Sequence, residues 1–171
     1  MSTIRSTTRD DAITGGRGDP AAYALGKDGE PRLHFGWGRR LPMIRQSETA
    51  ECGLACLAMI AGYYGHHIDL PTLRRRFALS LKGIRLGQLI EIAQSLGLAC
   101  RPLRLDLDEI QRLQTPCILH WDLDHFVVLR RVRKCRAVIH DPAVGERHLR
   151  FDEIGPHWTG VAMELSRGAA W

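Results

Sequence analysis

Residues able to do chemistry gather at two places in this 171-residue chain. The first is the stretch Gln46 to Gly65, QSETAECGLACLAMIAGYYG, where Cys52 marks the junction between a polar approach and an apolar run. From Leu54 onward the spacing turns helical: Leu54, Leu57, Ala58, Ala61 and Tyr64 share one face, with Ile60 beside it. Ser47 and Thr49 are candidate N-caps, and Thr49 or Glu51 suits a first turn. Cys52 therefore opens the helix. Free backbone N–H groups and the positive dipole end at that position favour an anion, a thiolate included. A thiol so placed is a candidate nucleophile, against the alternative of a buried structural cysteine.

The second place is downstream. His125 opens the apolar run HFVVLRRV just after the turn-like Trp121 to Asp124, and Asp141 follows the run RAVIH. A cysteine peptidase needs a thiolate, a histidine that activates it and later protonates the leaving amine, and a polar group that orients the imidazole. It also needs a donor for the oxyanion. Cys52, His125 and Asp141 fill the first three roles, and Gln46, six residues before Cys52, offers its side-chain amide for the fourth. Competitors remain at this point. His120 and His140 also flank strand-like runs, and Asp122 and Asp124 are alternative carboxylates. Asp141-Pro142 is also a common turn opener. Cys56 stands one helical turn after Cys52, but this spacing is not that of a zinc pair and no matching Cys/His pair follows closely, so it reads as core. Cys100, Cys117 and Cys135 read as packing residues or inert thiols.

These groups must be positioned by two kinds of element. After the Cys52 helix, which ends near Gly62 to Gly65, a short helix over 71–78 begins at Pro71. An amphipathic helix runs from Leu86 to Leu96 and stops at Gly97. Strands follow over 98–105, 116–120, 125–132, 136–140, 147–150 and 159–165, with short helical turns over 106–113 and 151–154. The last strand is expected to close the sheet. Helices first and antiparallel strands afterwards make an α+β fold with segregated halves. The hairpin of strands 125–132 and 136–140 sets the start of one beside the end of the other, which puts Asp141 within reach of His125.

Composition excludes several classes. The longest apolar run, Leu54 to Gly62, is far short of the ~20 residues that span a bilayer, and residues 1–30 carry no signal-type apolar segment, so the expected location is cytoplasmic. Five cysteines without small-domain spacing fit free thiols in a reducing compartment. The net charge is +5, but residues 1–45 hold 8 basic and 5 acidic groups, leaving a balance of only +2 for the rest. The runs Arg74–Arg76 and Arg130–Arg136 read as solvated faces, and no nucleic-acid partner is expected. No metal or cofactor is called for. Residues 1–38, rich in Gly, Thr, Asp and Arg, read as a flexible polar tail before a domain over 39–168.

The segment QSETAECGLACLAMIAGYYG, with PCILHWDLDHFVVL and VIHDPAVG downstream, closely resembles the N-terminal peptidase domain of bacteriocin-exporting ABC transporters of the colicin V secretion type. The resemblance covers about residues 40–165. It implies a papain-like cysteine protease that cleaves a leader peptide after a double glycine while an attached transporter exports the cargo. By resemblance Cys52 is the nucleophile, His125 the general base and acid, Asp141 the orienting carboxylate, and Gln46 the oxyanion donor together with the Cys52 backbone N–H. The implied partners are a leader peptide and the membrane and ATP-binding parts of an exporter, in cis or in trans, at the cytoplasmic side of the bacterial inner membrane. The alternative is a peptidase-like module that docks export substrates without cutting. No G-x-x-x-x-G-K-[ST] occurs, so this chain does not hydrolyse ATP by that route. Gly15-Gly16 loosely mimics a double-glycine leader end.

Overall fold

The architecture follows from one helix that is apolar on every side. The computed structural model describes residues 39–77, 80 and 82–169; the tail expected over residues 1–38, with Gly15-Gly16, lies outside them. Helix α1 (Cys52–Tyr63) is buried from Cys52 through Gly62 without interruption. The single buried face expected for it is thus replaced by burial all round. The reason is its setting: α1 lies against the sheet at β3 and against α2 (Leu70–Arg76) and α3 (Leu86–Ser95). Small residues at Gly53, Ala55, Ala58 and Ala61 let neighbours approach between the larger side chains. Met59 is fully buried, which removes it from any exposed flank, and Tyr63 is only partly exposed.

Each helix has a local cause. Asp69 caps α2 by accepting from the Thr72 N–H at 2.7 Å, ahead of Pro71 in the first turn. Gly97 ends α3 region in the left-handed conformation, with φ of 81°. The entry to α1 differs from the expected serine or threonine cap. A 3-10 turn, Thr49–Glu51, precedes it, and the Glu51 carboxylate accepts the N–H groups of Ser47 at 2.9 Å and Glu48 at 3.0 Å. Glu51 is 1% exposed and also takes a hydrogen bond from Arg74 Nε of α2.

The strands are β1 (Leu98–Arg104), β2 (Cys117–Trp121), β3 (His125–Arg133), β4 (Arg136–Asp141), β5 (Gly145–Arg150) and β6 (Trp158–Arg167). A 3-10 helix, Leu107–Arg112, separates β1 from β2, and α4 (Phe151–Ile154) separates β5 from β6. All pairings are antiparallel, and the order across the sheet is β1-β6-β2-β3-β4-β5. The last strand therefore does not close the sheet; it lies inside it, between β1 and β2. One face of the sheet packs on the helices through Ile118, Phe126, Val128, Met163 and Leu165. The other carries a second core around Leu119, Trp121, Val127, Leu129, Ile139 and Ile154. Alternation along each strand feeds both cores. Buried Glu164 of β6 is satisfied by Arg101 opposite it on β1 and by the Gln114 N–H at 2.7 Å. The fold is α+β, with a helical half on an antiparallel sheet.

Candidate active site

Tight packing brings the two halves of the site together. A Cβ added to Gly53 would stand 3.0 Å from Leu89 Cδ1 and 3.5 Å from Phe126 Cδ2. Glycine thus lets the first turn of α1 press against the start of β3, one residue from His125. Cys52 sits at the first position of α1 with 2% of its surface exposed.

His125 begins β3 and Asp141 ends β4, and the hairpin geometry sets them side by side. His125 Nε2 lies 2.8 Å from Asp141 Oδ1. The same oxygen accepts the Ala143 N–H at 2.9 Å, and Arg147 Nη1 stands 3.9 Å from Oδ2. Burial disfavours the carboxylate, but the bonds from His125 and Ala143 and the charges of His125 and Arg147 outweigh it and hold Asp141 below its ordinary range. Burial likewise disfavours the His125 cation. Hydrogen bonds to Asp141 and to the Cys52 thiol, with the negative charges behind them, reverse that effect and carry His125 from 6.5 up to about 9. Nε2 is taken by Asp141, which leaves Nδ1 for the sulfur.

The competing residues are engaged elsewhere. His120 Nδ1 meets Thr159 Oγ1 at 2.9 Å. His140 meets the Pro42 carbonyl at 3.2 Å and Glu146 Oε2 at 2.9 Å. Asp122 pairs with His157 Nδ1 at 2.7 Å, and that His157 ring stacks on Trp121 at 5.2 Å. Asp124 lines the cleft, while the carboxylate bonded to His125 is that of Asp141. Cys56 and Cys117 are fully buried, and burial pushes both thiols well up. Cys100 is half-buried and Cys135 is exposed at the β3–β4 turn. Among the described residues, no group of three or more His, Cys, Asp or Glu could hold a metal ion, and no helix is long and apolar enough to cross a membrane.

A cleft of about 460 Å³ opens over this array, lined by Gln46, Trp121, His125, Asp141, Val144 and Arg147 among others. Gln46 shares the cleft with His125, and its Oε1 is buried without a hydrogen-bond partner. Sequence reasoning missed three contributors: Arg45, Glu51 and Arg147. For Glu51 a signal existed, since it follows Glu48 at capping-box spacing. Arg45 and Arg147 act only through the folded loop at 141–145 and leave no local pattern.

A helical half on an antiparallel sheet, with a thiol at a helix start facing a His–Asp pair, is the arrangement of a thiol peptidase. Residues 40–170 match the Peptidase C39 family, and the chain belongs to that family. It is 54% identical over 137 residues to the colicin V secretion/processing ATP-binding protein CvaB of Escherichia coli, covering 80% of this chain and 20% of that protein. It is 52% identical over 138 residues to the probable microcin-H47 secretion/processing ATP-binding protein MchF of the same species, covering 81% and 20%. The chain thus spans about a fifth of the length of these relatives. Among solved structures, a double glycine motif protease from an AMS/PCAT transporter in complex with its leader peptide superposes with a TM-score of 0.71 at 31% identity, covering 75% of this chain and 93% of that one. The peptidase domain of Streptococcus ComA superposes with a TM-score of 0.68 at 26% identity, covering 75% and 99%.

Proposed function

We propose that this chain is a cysteine endopeptidase that cuts leader peptides after Gly-Gly, with Cys52 as nucleophile, His125 as general base and acid, Asp141 as orienting carboxylate and Gln46 as oxyanion donor. The observation that carries the reading is the His125 ring, held through Nε2 at 2.8 Å from buried Asp141, at the start of a strand against which the first turn of α1, opened by Cys52, is packed. With the ring protonated, Nε2–H donates to Asp141 and Nδ1–H to the sulfur, which is then the nucleophilic thiolate. The sulfur attacks the carbonyl carbon of the second glycine, and the carbonyl π pair moves to oxygen. That oxyanion takes hydrogen bonds from the Gln46 amide and the Cys52 backbone N–H. Collapse breaks the C–N bond while His125 delivers its proton to the leaving amine. Water, deprotonated by the now neutral His125, then hydrolyses the thioester and frees the leader.

The glycine preference follows from access. Cys52 is 2% exposed as a residue, and His125 lines a cleft shared with buried Trp121; backbone that carries no side chain at the cut fits such a site. The double glycine motif in the solved relative and the processing role in the names of CvaB and MchF support the same substrate class. Coupling to an ABC exporter, at the cytoplasmic side of an inner membrane, is the setting we propose from those relatives.

The test is mass spectrometry of a synthetic leader peptide ending in Gly-Gly and extended by a few cargo residues, incubated with the chain. Cleavage after the second glycine is expected, with none in Cys52→Ala and retained peptide binding in that variant. Binding by the wild type without any cleavage would instead identify a docking module.

A further inference from the structure

We infer that Arg45 is a positioning residue that aims Gln46 at the reacting carbonyl by clamping the approach segment onto the β4–β5 turn. Arg45 Nη2 donates to the Ala143 carbonyl at 2.6 Å and Nη1 to the Val144 carbonyl at 3.1 Å. The next residue continues the series, since the Gln46 N–H donates to the Pro142 carbonyl at 3.0 Å. Three consecutive carbonyls of the turn are thus claimed by two consecutive residues nearly a hundred positions earlier in the chain. The turn is closed to fit. Gly145 has φ of 109°, and a Cβ there would stand 3.4 Å from Arg45 Nη1.

The clamp adds to holds on either side of Gln46, where His140 meets the Pro42 carbonyl and Glu51 accepts the Ser47 and Glu48 N–H groups. Residues 41–46 belong to no helix or strand. The Gln46 side chain cannot anchor itself through its amide oxygen, because Oε1 has no partner. Its aim is therefore set by where its backbone is held, and that backbone is held on the turn that begins with Asp141. Both outer groups of the machinery are referenced to one loop: the Asp141 carboxylate through the Ala143 N–H, and the Gln46 backbone, with Arg45 before it, through the carbonyls of Pro142 to Val144. A planar fork can bridge two adjacent carbonyls, whereas a lysine ammonium is a single point. The Arg45 bonds are solvent-exposed, so they add little to global stability, and their effect falls on placement.

This inference rests on the acyl-transfer reading above, and the experiment separates the two. The full chain would be assayed on an activated ester of an N-acylated glycine and, in parallel, on the double-glycine leader peptide. The variants are Arg45→Ala, Arg45→Lys, Gln46→Ala and the double variant Arg45→Ala/Gln46→Ala. Arg45→Ala should lower kcat on the ester roughly tenfold or more with KM within about twofold, as misplacement of a stabilising group does. Arg45→Lys should not restore it. The double variant should lose no more than Gln46→Ala alone, because both act through one group. Iodoacetamide alkylation of Cys52, which forms no oxyanion, should keep its wild-type rate and pH profile in Arg45→Ala. Wild-type kcat in Arg45→Ala, multiplied losses in the double variant, or alkylation slowed in step with kcat each overturn the inference. Ester turnover without leader cleavage overturns only the leader specificity; no ester turnover by the wild type overturns both.

Discussion

The balance at His125 can be taken apart one contribution at a time. Burial is the largest single influence on this ring and pushes it down; Asp141 and Cys52 together lift it to about 9. The interval from 6.5 to about 9 corresponds to about 3 kcal/mol favouring the protonated form, at ~1.4 kcal/mol for each pH unit. Among the groups that raise it, the Asp141 hydrogen bond comes first. Asp141→Asn and Cys52→Ala should each lower the His125 titration. In the double variant Cys52→Ala/Asp141→Asn both negative charges are gone and burial prevails, so the ring should titrate below 6.5. The assay is a proton NMR titration of the eight histidine Cε1 signals, with His125 assigned by its loss in His125→Gln. The same quantity appears in folding. A raised histidine contributes stability that is fully present below pH 6.5 and is lost as pH rises through about 9. Thermal melts across that window should fall by up to about 3 kcal/mol in the wild type and flatten in Asp141→Asn. A double variant whose His125 still titrates above 7 would refute the reasoning, because some other group would then be holding the proton.

Two further predictions concern the frame around the site. Glu51→Ala should cost about 2–3 kcal/mol of stability, since a buried carboxylate with charge-assisted bonds from Arg74, Ser47 and Glu48 is lost; melting should drop by roughly 3–5 °C for each kcal/mol. A loss under about 0.5 kcal/mol would show that the entry loop holds without it. Burial pushes Glu51 up, but the bonds from Arg74, Glu48 and Ser47 outweigh it, so its contribution should be present above pH 4.5 and fade as pH falls. Leu123→Gly should stabilise the chain by about 0.5–1 kcal/mol, because Asp122 and Leu123 stand in the three-residue turn between β2 and β3 with φ of 49° and 68° and the leucine is 80% exposed. Destabilisation in an equilibrium urea melt would mean that the leucine makes a contact worth more than the strain.

Much of the site could be read from residue order, and the reasons it could not all be read are specific. The start of α1 was legible because a polar run changes to an apolar one at Cys52. Its burial on every side was not, since periodicity finds one face and a helix between a sheet and two other helices has none to spare. The hairpin that joins His125 to Asp141 was legible from two apolar runs with a turn between them. The residues by themselves left His125, His120 and His140 open and only the family resemblance favoured His125; the engagements of the other two with Thr159, Pro42 and Glu146 arise only on folding. Glu51 was read as a first-turn residue; its true partners include an arginine on the next helix. The position of β6 was misjudged because strand order across a sheet is set by long-range pairing that local pattern does not carry.

That position has a consequence for how the chain comes off the ribosome. Among the described residues β6 links β1 to β2, and it is the last of the six strands in chain order. Cys52, His125 and Asp141 are all synthesised earlier, yet until Trp158–Arg167 emerges the sheet exists as two separate pieces. Its arrival also delivers the carbonyl of Leu165 to the Tyr64 hydroxyl at the end of α1, at 2.8 Å, and the Arg167 guanidinium to the Tyr64 carbonyl. This segment thus fastens α1 to the sheet. On the reading proposed above, a nascent chain stopped short of β6 would carry Cys52, His125 and Asp141 without the frame that aligns them, and cleavage would await that strand.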